Sequence, residues 1–218
     1  MIIPKIIHFI RYDGATHEDY NLVQQWESMN PGYTVMFWDE DTLLNFFKKY
    51  YARYVDIWTT YTYIPQRVHA ASYFLVRKYG GVFVNQDVVG PRDLSSLPDA
   101  DFIGFVASGK KLLSTNLFAG RADNRPMHLL TDMLWSTFNY KQTFPSRESQ
   151  IAFTTGSPVL TSCVQESLDS PQGQRISLLT LNDSLIEEVK RGGQNSFILL
   201  TLLMLGAVGT ALFICKDN

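Results

Sequence analysis

The stretch from Tyr61 to Val89 constrains this chain most, because it reads as a helix, a double glycine and a short strand in immediate succession. Pro65 suits the first helical position, where its missing N–H is no loss, and Val68, Ser72, Leu75 and Tyr79 recur at the spacing of one core-facing helical stripe. Gly80 and Gly81 then end the helix, since backbone with positive φ is least costly for glycine. Val82-Phe83-Val84 is too short for a helix and fits a buried strand. The strand gives way to Asn85-Gln86-Asp87, and polar groups at the carboxyl end of an apolar strand are where open α/β sheets place their ligands.

The flanking sequence alternates in the same way. Lys5 to Ile10 reads as a first strand, and His8 within it as a hydrogen-bonded structural residue rather than a catalytic one. Asp13-Gly14 marks a turn, Glu18 to Met29 an amphipathic helix with Leu22, Val23 and Trp26 on its apolar side, and Asn30-Pro31-Gly32 its stop. Tyr33 to Trp38 predicts a second strand, and Asp41-Thr42 the cap of a helix running through Tyr50. Further on, Phe102 to Val106 predicts a strand, Ser108 to Lys111 a turn, and Pro126 to Trp135 a helix with Met127, Leu130, Leu134 and Trp135 inward. Ser167 to Arg175 reads as an exposed polar loop.

These residues resemble a family of sugar transferases that includes the yeast α-1,6-mannosyltransferases and the inositol-phosphoceramide mannosyltransferases, more distantly the clostridial glucosylating toxins. The family shows an opening Ile-Pro-Lys-Ile-Ile-His, then Arg-x-Asp-Ala-x-Arg-Tyr, a helix, Tyr-Gly-Gly-(Ile/Val)-Tyr and an Asp-x-Asp triplet; the likeness covers roughly residues 3 to 165. It implies the nucleotide-sugar transferase fold called GT-A, a nucleotide-sugar donor, a glycan or membrane-lipid acceptor and a divalent cation, Mn2+ or Mg2+. Carried over position by position, it puts Arg67, His69 and Ser72 at the donor, Trp26 and Asp39 near base and ribose, Asn116 beside the donor sugar, and Asp87 with Asn85 on the metal. Thr155 and Gly156, in a segment similar to the family's Thr-Gly-Pro, are weaker site candidates.

The departures are as informative as the match. His69 stands where the family has aspartate, Ser72 where it has the second arginine, and Asn85 where the triplet opens with an acid, leaving Asp87 alone. A hard cation favours carboxylate oxygens, and one unit charge pair at ~4 Å and an effective dielectric of ~20 is worth about 4 kcal/mol. Any metal is therefore expected to bind weakly. His69 would offer the phosphates a positive or a hydrogen-bonding group instead.

Composition narrows the remainder. A length of 218 residues with 45% hydrophobic content suits one α/β domain, here residues 1–190, and a net charge of −2 gives no case for nucleic acid. Two cysteines, Cys163 and Cys215, make a disulfide framework unexpected. After a linker at 191–195, Ser196 to Cys215 is an uncharged run of twenty residues, long enough at 1.5 Å per residue to cross a bilayer, with residues 216–218 as a tail. A single-pass C-terminal membrane anchor is expected. Gly206 and Thr210 would let two such helices approach. The family suggests a Golgi or ER type of membrane; Lys190-Arg191 and the want of a signal-like start favour a cytosolic domain, and Asn182-Asp183-Ser184 is a glycosylation acceptor only if the domain is luminal.

Two readings follow. One is a membrane-anchored transferase moving a hexose, mannose favoured, with retention at the anomeric carbon. The other is a catalytically degenerate relative kept as a structural or partner membrane protein.

Overall fold

The computed structural model describes residues 3–12, 16–85, 90–107, 111–137, 144–170, 174–181 and 186–188. Seven strands form one mixed sheet in the order β2-β1-β3-β5-β4-β6-β7. These are β1 (Ile6–Ile10), β2 (Thr34–Trp38), β3 (Gly81–Val84), β4 (Phe102–Ala107), β5 (Leu113–Gly120), β6 (Ile176–Leu181) and β7 (Ile186–Glu188). Strands β1, β2 and β3 are mutually parallel, as are β4 and β6; β5 runs antiparallel between β3 and β4, and β7 antiparallel to β6. The carboxyl ends of β1, β2, β3, β4 and β6 therefore share one edge, with the start of β5 beside them. The α/β expectation holds.

The helices are α1 (His17–Met29), α2 (Glu40–Tyr50), α3 (Val55–Thr60), α4 (Ile64–Tyr79), α5 (Arg125–Thr137), α6 (Arg147–Thr155) and α7 (Ser157–Leu168). Two apolar clusters sit on the two faces of the sheet. One packs α2, α4, α5 and α7 through Phe46, Phe47, Phe74, Leu75, Leu130 and Leu160; the other packs Trp26 of α1 against Phe9, Leu94 and Leu117.

Local chemistry sets the junctions. Gly80 and Gly81 have φ of +66° and +101°, and a Cβ on Gly81 would lie 2.6 Å from the Ile6 carbonyl oxygen. The double glycine thus does more than stop α4. It lets β3 pass close against β1. At α1, Thr16 and Asp19 form a reciprocal capping box, and at α2 the same device joins Asp39 and Thr42. The cap of α2 is accordingly Asp39 and not the expected Asp41, because the extended backbone of Asp39 allows its carboxylate to accept from Thr42 N at 2.8 Å.

Other expectations need adjustment. Ile64 opens α4, with Pro65 in its first turn, and Val68 and Tyr79 are half-buried, so the core-facing stripe is centred on Ser72 and Leu75. Trp135 is 38% exposed rather than inward, with the Arg53 guanidinium 5.0 Å from its ring. The Ser114–Gly120 segment is strand, and α7 extends through Ser167 and Leu168, so the loop begins after Leu168. Helix α6 and strand β6 were not anticipated. Cys163 is a buried free thiol, pushed up to about 12 by burial.

Asp87, Lys190-Arg191, the acceptor Asn182-Asp183-Ser184 and the apolar run Ser196 to Cys215, with Gly206 and Thr210, lie outside the described residues. Among the described residues no helix is long and apolar enough to cross a membrane.

Candidate functional site

Because α4 leads back to the start of β3, its first turns lie at the carboxyl edge of the sheet. There Arg67 is held by four groups from three stretches of chain. Its Nε donates to Tyr61 O at 3.0 Å, Nη2 to Thr59 O at 2.8 Å and Nη1 to the Tyr12 hydroxyl at 2.5 Å, while Glu40 Oε1 stands 3.5 Å from Nη1. Tyr12 in turn donates to Glu40. A planar guanidinium with five donors in a fixed fork suits such a junction, which the compact three-donor ammonium of a lysine would not span. The Tyr12 ring, directly after β1, lies under the guanidinium at 5.6 Å and contacts Trp58 at 6.2 Å. Tyr12 and Glu40 were missed in the sequence, although their places just past β1 and in the first turn of α2 mark them as carboxyl-edge residues.

One turn further, His69 meets the α6–α7 junction. Its Nδ1 lies 3.4 Å from Thr155 Oγ1, and no second partner for the ring is present among the described residues. Desolvation pushes its pKa down to about 4, so near neutral pH it is an uncharged hydrogen-bonding group. Two further rungs tie the same helices: Gln66 Nε2 donates to Thr154 Oγ1 at 2.7 Å, and the buried Tyr73 hydroxyl to Thr155 O at 2.7 Å. Gly156 is required for space, since a Cβ there would lie 2.7 Å from Ala152 Cα.

Asn85 and Asn116 are brought together by the β3–β5 pairing. Asn85 N donates to Asn116 O at 2.8 Å and Asn85 Nδ2 to Asn116 Oδ1 at 3.1 Å. A cation would meet the side-chain oxygen of Asn85, since the amide nitrogen acts as a donor.

Other sequence-derived candidates sit elsewhere. Trp26 is fully enclosed, edge-on to Phe9 at 5.7 Å, and presents no ring face to a base. Ser72 is buried and its hydroxyl donates to His69 O at 2.7 Å within its own helix. Asp39 lies at the correct edge, engaged as the α2 cap; its hydrogen bonds from Thr42 lower its pKa. His8 behaves as expected of a structural residue: Nε2 donates to Gly80 O at 2.8 Å, and Nδ1 accepts from Trp38 Nε1 at 3.2 Å. The bond from Trp38 requires the neutral ring, and burial pushes its pKa down to about 4, outweighing the Gly80 bond, which raises it.

Beside β1, burial alone would raise the Asp19 carboxyl, but hydrogen bonds from Arg11 and Thr16 outweigh it and hold the pKa down to about 2.

The donor set bears on metal binding. Among the described residues no three His, Cys, Asp or Glu side chains gather as a metal would need. A hard cation is not accommodated by these groups alone. The fit turns on Asp87, two residues beyond Asn85 and outside the described residues.

Comparison with known proteins agrees with this geometry. Residues 16–103 match the family described as "Glycosyltransferase sugar-binding region containing DXD motif". The chain is 26% identical over 186 residues to an uncharacterized glycosyltransferase of Acanthamoeba polyphaga mimivirus, covering 82% of this chain and 71% of that one. It is 27% identical over 135 residues to a mannosyl phosphorylinositol ceramide synthase of Saccharomyces cerevisiae, covering 59% of this chain but only 33% of the yeast protein. In structure it is similar to PaToxG Glycosyltransferase, with a TM-score of 0.54 at 14% identity over 76% of this chain and 69% of that chain, a likeness of fold. The family match through residues 16–103 takes in β1's partner strand, the Arg67–His69 helix and the Gly80-Gly81 strand junction, so these segments are similar to the DXD-containing sugar-binding region of glycosyltransferases.

Proposed function

We propose that this protein transfers a hexose, mannose in the first instance, from a nucleotide-diphosphate sugar to a hydroxyl of a glycan or membrane lipid, with retention at the anomeric carbon and from a C-terminal anchor in a Golgi- or ER-type membrane. The observation that carries the reading is the placement, at one sheet edge, of four segments distant in sequence: Arg67 and His69 on α4, Asn85 after β3, Asn116 on β5, and Thr155 at the α6–α7 junction.

In this reading the reaction breaks the bond between the anomeric carbon and the diphosphate and forms one to the acceptor oxygen; the acceptor proton leaves with the diphosphate. Asn85 and Asn116, as paired amides, orient sugar hydroxyls. Neutral His69, steadied by Thr155, hydrogen-bonds an oxygen of the donor. Arg67 acts at one remove, fixing Tyr12 and the α3–α4 turn as the wall of the donor cleft. A divalent cation, where Asp87 and the Asn85 carbonyl hold one, would neutralise charge on the departing diphosphate.

Calorimetric titration of the full chain with UDP- and GDP-sugars, with and without manganese, tests this. Binding in the micromolar range is expected. Absence of heat with every donor, from protein whose circular dichroism is that of a folded α/β chain, would overturn it.

The buried Ser72 hydroxyl and the Asn85–Asn116 pair also suit a relative that has lost catalysis and serves as a structural or partner protein. Asn85→Asp and His69→Asp separate the two. A degenerate site gains metal and donor binding from them, whereas an enzyme adapted to its present groups loses activity.

A further inference from the structure

The edge of the sheet opposite the candidate site carries a surface of different chemistry. Helices α2 and α4 both end there, and their last turns meet: the Tyr50 and Tyr79 rings lie 6.0 Å apart, and the Tyr50 ring is flanked by Lys78 Nζ at 4.4 Å and Lys49 Nζ at 5.0 Å. Lys48 is exposed beside them, and Lys5, just before β1, is exposed near the Tyr33 ring at 5.9 Å. Arginines of this edge are neutralised, Arg77 by Asp132 at 3.3 Å and Arg121 by Asp101 at 3.0 Å. The four lysines have no carboxylate partner among the described residues. Glu27, Asp123 and Asp93, the last close enough to act on Tyr33, are exposed acids of the same edge, and against them the four lysines leave it net positive.

Apolar and aromatic surface accompanies the charge. Met29, at the end of α1, is 45% exposed, and Tyr33 and Tyr50 are half-buried. Amphipathic rings and long cationic stems are the side chains that settle at a headgroup boundary. The chain itself leads the same way: β7 runs antiparallel to β6, so it heads from the carboxyl towards the amino edge, and in sequence Lys190-Arg191 and the uncharged Ser196 to Cys215 follow shortly after Glu188.

We propose that this amino edge is a docking surface for an anionic lipid bilayer, with Lys49 and Lys78 around Tyr50 as its principal phosphate-binding pair. The candidate transferase edge then faces away from the bilayer, one strand length or roughly 16 Å further out. Such a placement suits acceptor hydroxyls carried on an extended headgroup or glycan.

The full chain is mixed with vesicles of phosphatidylcholine alone and of phosphatidylcholine with about a third phosphatidylserine, and the bound fraction is read by flotation at low and physiological salt. The neutral vesicles report what the apolar segment does by itself. The wild type is expected to favour the anionic vesicles, more so at low salt. K49Q/K78Q should lower that preference about thirty-fold, at roughly 1 kcal/mol per lysine, with neutral-vesicle binding unchanged. K5Q/K48Q, at two exposed positions, repeats the test should the first variant fold poorly. No anionic preference in the wild type, or an undiminished one in folded variants, would overturn the proposal. So would calorimetric binding of inorganic phosphate that K49Q/K78Q abolishes without altering vesicle preference, since the pair would then serve a soluble phosphate.

Discussion

The carboxyl and amino edges of the sheet solve opposite problems. At the carboxyl edge the polar groups are neutral or mutually engaged: Arg67 with Tyr12, Thr59, Tyr61 and Glu40, Asn85 with Asn116, and an uncharged His69 with Thr155. At the amino edge the backbone is what is tightly fitted, through Gly80, Gly81 and the His8 bond to Gly80 O, while four lysines have no carboxylate partner among the described residues. Rigid side-chain geometry suits a site that must fix a sugar. A fitted backbone beneath mobile cations suits a surface that meets many headgroups.

The largest effect should come from the amino edge. Gly81→Ala would bring a Cβ to 2.6 Å from Ile6 O at a φ of +101°. With overpacking and left-handed strain together, about 3 kcal/mol of stability should be lost, measured by urea denaturation; a loss below 1 kcal/mol would mean that β1 and β3 can part without penalty.

Acid should act on both edges together. The folded imidazoles of His8 and His69 protonate near pH 4 instead of 6.5, so between those values the unfolded chain binds more protons. Stability is therefore fully present above pH 6.5 and is lost as pH falls towards 4. Each ring accounts for up to about 3 kcal/mol. His69→Gln should remove only the carboxyl-edge share, and a pH profile of denaturation unchanged by that variant would show His69 to be well solvated.

Arg67→Ala, which breaks the carboxyl-edge junction, should cost about 2 kcal/mol. Arg67→Lys should recover little of it, since one ammonium cannot reach four acceptors. Equal stability of Lys and wild type would reduce the junction to a simple charge effect.

The smallest effect belongs to Asp39. Asp39→Ala should cost about 1 kcal/mol through its α2 cap. If donor affinity fell in that variant while stability held, Asp39 would have a direct ligand role in addition to capping.

Much of this was legible in the chain. Helix α4, the double glycine and β3 were readable because their signals are local: a stripe at helical spacing, residues tolerant of positive φ, and a β-branched run. The structural character of His8 was readable as well. The resemblance located the right segments, yet it assigned Ser72 and Trp26 to ligands, and both are enclosed. A motif reports which helix or strand a residue occupies and not which side of it faces the cleft.

What the sequence determined by itself is the alternation of helix and strand and the place of the ligand edge, since both follow from propensity, periodicity and strand direction. Tertiary structure alone decided the rest. It turned Asn85 onto Asn116 across 31 residues and Arg67 onto Tyr12 across 55, and it set His69 where burial lowers the pKa of its ring. Hydrogen-bond partners and desolvation are properties of what surrounds a group in space, and spacing along the chain does not encode them.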